Sequence, residues 1–233
     1  MPDHPNTDPL DILVDVVCEL PHEVEKFESS IQICRSHDVS AMEALLEVLA
    51  TIFEWQSHLR QSSNAQLYSA KPAQLTNPAD DSYEGPLFPF ALNFRSIRIG
   101  TYFVLSWGLQ LQICATLLNA PEEMLQHVRD ITPWAVTSSS AEIDGSPPTL
   151  RRVLKAEADR IARLLCQTVE YCHRPEMGIF GPQTMLYTQW MMRSYFRQVE
   201  AGRELQWCLN IPNMRGAPTR CSIRTMSFEG AKV

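Results

Sequence analysis

From Ala156 to Asn210 the sequence sets its apolar residues at helical spacing, and this periodicity limits the chain to helix packing more than any other feature does. Positions 158, 161, 164, 165, 168, 169 and 172 recur with the 3.6-residue period of a helix that buries one face. Pro175, Gly178, Gly181 and Pro182 then punctuate a loop, and Pro182 suits the first position of the next helix. An apolar helix follows, and Arg203-Glu204-Leu205-Gln206-Trp207-Cys208 closes the stretch.

The same period organises the N-terminal half. Asp8 is a good N-cap, with Pro9 at the first helical position and Asp11 at the third. Leu10, Leu13, Val14, Val17 and Cys18 form a stripe that Ile12 and Val16 widen, which predicts a helix buried on most sides. Pro21 is expected to end or kink it. A second helix then carries Val24, Phe27, Ile31 and Cys34 on one face. Ser40-Ala41-Met42-Glu43 has the form of a capping box. It opens a helix with Met42, Leu45, Leu46, Leu49, Ile52, Phe53 and Leu59 facing the core and Trp55 at the edge, ending near residues 61–63.

Residues 64–90 hold Pro72, Pro78, Gly85, Pro86 and Pro89, which predicts a long surface loop. The stretch from Ala91 to Leu118 is intensely apolar, and the run that follows Arg95 and Arg98, about 20 residues from Ile99, just reaches the threshold for a membrane span. Ser106, Gln110 and Gln112, with two threonines and two glycines, make it a core helix instead. Pro121-Glu122-Glu123 starts a further helix with acids at its positive end, stopping by Thr132-Pro133-Trp134. Residues 137–148 have loop composition, and the tail beyond Asn210 looks irregular, with Arg215, Arg220, Arg224 and Lys232 against one acid. No stretch alternates as a strand, and no internal repeat is evident. The expectation is an all-α fold, an irregular multi-helix bundle around a long central apolar helix. It comprises one domain over residues 8–211, mobile loops at about 64–90 and 137–148, and an irregular basic tail at 212–233.

At 233 residues the chain is long enough to bury roughly 70% of its unfolded surface without disulfides or metals. Its net charge of -7 argues against the whole chain being a nucleic-acid binder. Residues 1–90 hold 15 acidic and 4 basic side chains; residues 91–233 hold 12 and 16, which reads as differently charged solvated faces. Seven cysteines stand at 18, 34, 114, 166, 172, 208 and 221, with no Cys-x-x-Cys, most of them inside apolar helical patterns. They read as reduced, buried thiols of an intracellular protein. The N-terminus lacks the basic and apolar regions of a signal peptide, so cytoplasm or nucleus is expected.

Chemistry-bearing patterns are sparse. Cys166, Cys172 and His173 form the tightest cluster, but a six-residue separation puts the two thiols on different sides of a helix, unlike a structural zinc site. Asp80-Asp81-Ser82-Tyr83-Glu84 has the spacing of a magnesium-binding carboxylate motif, yet Pro78, Gly85 and Pro86 deny it the helix that would align those groups. Arg151, Arg152, Lys155, Arg160 and Arg163 share one helix with Glu157 and Asp159, which reads as an ion-paired, solvated face. No Gly-x-Ser-x-Gly elbow and no phosphate-cradling glycine loop occurs. No catalytic, cofactor-binding, metal-ligating or DNA-contacting residue is assigned.

One resemblance emerges from the order of features. Ala158-Asp159-Arg160-Ile161, Leu165 and Val169-Glu170-Tyr171-Cys172 lead into Pro175-Glu176-Met177-Gly178, Gly181-Pro182 and the Arg203–Cys208 run. This resembles the C-terminal part of the regulatory domain of fungal-specific zinc-cluster (Zn2Cys6) transcription factors. The paired N-terminal helices, Trp55, and the helix with Phe94, Arg95, Tyr102 and Leu109 match more loosely. The family's six-cysteine basic module has no counterpart: the first 40 residues are acidic and carry two cysteines, 16 apart. The resemblance therefore implies a non-enzymatic, nuclear helical domain that works through protein partners or a small ligand, without direct sequence-specific DNA contact and without a cofactor. The alternatives are a helical enzyme of secondary metabolism with an interhelical pocket that Tyr102, Gln110, Gln112 and His173 would line, or a structural adaptor.

Overall fold

The computed structural model describes residues 9–32, 39–63, 65–127 and 149–216. Among them are seven α-helices: α1 (Pro9–Gln32), α2 (Ser40–Ser62), α3 (Ile97–Leu117), α4 (Glu122–His127), α5 (Leu150–Cys172), α6 (Phe180–Gln198) and α7 (Gly202–Leu209). Two short strands, β1 (Tyr68–Pro72) and β2 (Phe90–Phe94), complete the regular structure. The architecture is helical, as the periodicity predicts. No helix is long and apolar enough to cross a membrane among the described residues.

The stripe on α5 folds as its spacing requires. Ala158, Ile161, Leu165, Thr168, Val169 and Cys172 are all buried, and Thr149 caps the helix by accepting from the Arg152 N–H. This face packs on α3, α6 and β2. Helix α3 starts at Ile97 behind an N-cap from Ser96, whose hydroxyl accepts from the Ile99 N–H. It is buried along most of its length and touches α1, α2, α5 and α6.

Close approach of α6 requires two glycines. A Cβ at Gly108 of α3 would lie 2.7 Å from Thr188 Cγ2, and one at Gly181 would lie 2.0 Å from the Cys172 carbonyl oxygen. Helix α6 begins at Phe180, so Pro182 falls inside the first turn and not at its first residue. That placement is tolerated because first-turn N–H groups have no helical acceptor.

Four expectations are corrected. Pro21 neither ends nor breaks α1, which runs unbroken from Pro9 to Gln32. The stripe Leu13, Val16, Leu20, Val24, Phe27 and Ile31 continues across it, and the proline itself is exposed. Burial of one continuous face against α2 and α3 outweighs the missing hydrogen bond. The same helix is not buried on most sides, because Val14, Val17 and Cys18 are exposed.

The capping box does not form either. Val39 occupies the N-cap position of α2 with no side-chain cap, and Glu43 N–H donates to the Val39 carbonyl. Residues 64–90 are not all surface loop. Tyr68–Pro72 pairs antiparallel with Phe90–Phe94, Tyr68 opposite Phe94 and Pro72 opposite Phe90. Each strand is too short for a period of two to show, and Ala91–Phe94 merges in sequence with the apolar run of α3. The pair is held by an aromatic cluster in which Tyr68 meets Phe94, Phe103 and Trp107 at centroid distances of 5.1 to 5.7 Å. The segment predicted as a loop at 137–148 and most of the basic tail lie outside the described residues, as do Cys34 and Cys221.

Candidate protein-interaction surface

The polar residues singled out in the sequence are dispersed by the fold, each to its own structural partner. Asp80 ends a 3-10 turn (Pro78–Asp80); its carboxylate accepts from the Leu87 N–H at 3.0 Å and faces Arg203 at 3.6 Å. Asp81 faces Arg215 at 3.4 Å. The acidic run is a turn tied down by arginines, and its carboxylates share no helical face.

Tyr102, Gln110, Gln112 and His173 are each held by a different partner. Tyr102 accepts from Arg98 and meets Trp55 edge-on; Gln112 accepts from the Tyr187 hydroxyl at 2.5 Å. Gln110 accepts from Gln56, while His173 Nδ1 lies 2.8 Å from the Val169 carbonyl, its ring held below the usual histidine range by burial.

A crevice of about 20 Å³ lies between the 73–91 segment and helices α5 and α7. It has room for one or two waters, since one water needs roughly 10–15 Å³. Its polar wall is Glu170, whose carboxylate accepts from the backbone N–H groups of Gln74 at 2.7 Å and Leu75 at 3.0 Å. Nearby, Asn77 donates to the Trp207 carbonyl at 2.9 Å, and Arg203 donates to Gly85 while lying over the Tyr83 ring. These contacts clamp the β1–β2 connection onto α5 and α7. Glu170, Asn77 and Arg203 therefore hold the fold, a role that only the Val169–Cys172 and Arg203–Cys208 runs hinted at in sequence.

The basic side of α5 is largely neutralised. Arg151 donates to Glu122 and to the Leu118 and Ala120 carbonyls, so it staples α4 to the end of α3. Lys155 pairs with Asp159 at 2.8 Å, Arg160 binds the fully buried Glu157 through two nitrogens, and Arg163 reaches Glu204 at 3.1 Å. Among the described residues, Arg152 alone of the five has no carboxylate against it.

Among the described residues, α6 and its N-cap carry the most exposed large apolar side chains. Ile179, Leu186 and Trp190 are 51%, 61% and 60% exposed, and neighbouring Phe180 is 66% exposed. At 3.6 residues per turn, positions 179, 186, 190 and 197 fall within about 40° of each other on the helix surface. The opposite side of α6 carries Met185, Thr188, Met191, Met192, Tyr195 and Phe196, all buried, so the helix is apolar on both faces. A helix apolar all round is normally buried. Arg197 continues the exposed stripe, Arg193 beside it donates to the Cys208 carbonyl, and residues 180–198 contain no acid. The sequence shows Ile179, Leu186 and Trp190 plainly, yet periodicity alone does not say which of two apolar faces meets the core.

No protein-family profile matches the chain, and no curated protein or solved structure matches it significantly.

Proposed function

We propose that this chain is a non-enzymatic helical domain of the transcription-regulator type that acts by docking a partner protein on the exposed face of α6. The observation that carries the reading is the Ile179–Leu186–Trp190 stripe, because large apolar side chains gathered on one outer helix face are the usual mark of a protein-contact site. Tryptophan and arginine are the residue types that dominate such contacts. The occupant is an amphipathic helix of a partner, carrying acidic residues beside its apolar face. Its apolar anchors would lie along the stripe at helical spacing, and an acid beside them would meet Arg197 on a helix that has no acid of its own. The transcriptional setting and nuclear location rest on the family resemblance of residues 156–210.

A tethering experiment tests this. The full chain fused to a heterologous DNA-binding domain is expected to change reporter transcription in a fungal host. Trp190→Asp with Leu186→Asp is expected to abolish that change while leaving the thermal midpoint within a few degrees, since both side chains are solvent-facing. A reporter that responds equally to both forms removes the α6 face from the mechanism; one that responds to neither removes the transcriptional reading.

A further inference from the structure

Three sulfur atoms from three helices converge in the core. Cys166 Sγ of α5 lies 3.5 Å from Met192 Sδ of α6 and 3.8 Å from Cys208 Sγ of α7. Each of these side chains is no more than 2% exposed. The three residues are spread over 42 positions of the sequence, and no spacing rule for metal ligands joins them. We propose that Cys166, Cys208 and Met192 form a binding site for a soft monovalent cation of the Cu(I) class.

Three observations carry this site. A metal–sulfur bond of roughly 2.3 Å sets sulfur–sulfur separations of about 3.8 to 4.0 Å in tetrahedral or trigonal coordination, so Cys166 already stands near coordination distance from both partners. The donor set of two thiols and a thioether is the softest that side chains provide, which selects Cu(I) over hard cations. Finally, the water-sized crevice beside Glu170 and Trp207 has Cys166 in its wall, so a small ion can come up to that residue.

Binding involves no change of oxidation state. Cu(I) forms bonds to both cysteine sulfurs and accepts a thioether lone pair, and two thiol protons leave to solvent. Burial pushes the Cys166 thiol up, so its proton yields to a strongly thiophilic ion and not to ordinary changes of pH. The bis-thiolate centre would carry one negative charge. Arg163 acts on Cys166 in favour of negative charge, its partner Glu204 acts against it, and Arg193 donates to the Cys208 carbonyl at 3.2 Å.

The site is independent of the α6 docking face and is tested on the full chain. Reduced protein is titrated anaerobically with Cu(I) against a bathocuproine competitor, and copper-edge X-ray absorption reads the donors. Wild type is expected to retain one Cu(I) in an all-sulfur shell. Cys166→Ser is expected to lose that ion. Met192→Leu conserves core volume and should keep the fold while weakening retention by at least the roughly tenfold that outer-shell partners are worth. Equal retention by wild type, Cys166→Ser and Met192→Leu would assign the copper to other thiols, such as exposed Cys18, and overturn the site. So would a shell of nitrogen or oxygen donors.

Discussion

Gly181 is the residue on which the junction of α5 and α6 depends. Its missing Cβ leaves space for the Cys172 carbonyl, which would stand 2.0 Å from a methyl group there. The obstacle is backbone, so it cannot rotate away as a side chain can. Gly181→Ala is expected to destabilise the fold by about 3 kcal/mol, the upper end of the overpacking range, read as a lower urea midpoint at unchanged m-value. Gly178, three residues earlier, sits at φ 53 with open space around its α-carbon and is retained for its turn conformation alone. The buried carboxylates divide in a similar way. Glu157 faces Arg160 one turn on, a pairing its i,i+3 spacing made readable. Glu170 receives two N–H groups from residues 95 and 96 positions away, a contact that local sequence does not encode.

At the scale of elements, α1 shows propensity losing to packing. A proline in a helix interior costs roughly 3 kcal/mol, yet Pro21 is carried because the stripe from Leu13 to Ile31 keeps its period on both sides and buries against α2 and α3. Replacing Pro21 with alanine restores the missing donor on the exposed side. It is expected to raise stability by about 2 kcal/mol after the entropy gained by the unfolded chain is subtracted, measurable as a higher thermal midpoint. The β1–β2 pair shows the opposite limit. Five-residue strands in a proline-rich stretch carry too little pattern to announce themselves, and their stability comes from Phe94, Tyr68, Phe103 and Trp107 packing as one aromatic group.

For the molecule as a whole, the charge balance bears on nucleic-acid binding. The chain carries a net charge of -7, and four of the five basic side chains on α5 already lie against carboxylates. Counterion release therefore offers little affinity. The isolated chain is expected to give no gel shift with duplex DNA at about 150 mM salt, where non-specific binding by even basic proteins is weak. A sequence-specific shift that survives such salt would reverse the functional proposal.

The helical class, the inward faces of α2 and α5, and the paired basic face of α5 were legible in the sequence, because each is a local property set by residues one or two turns apart. Burial of Cys166, Cys172 and Cys208 followed from the same patterns. Only the tertiary structure decided which face of α6 is left to solvent, that Cys166 meets Cys208 and Met192, and that the 73–90 connection is clamped by Glu170, Asn77 and Arg203. Those outcomes depend on how separately formed helices cross, and crossing is fixed by close approaches such as those at Gly108 and Gly181, between residues far apart in the chain.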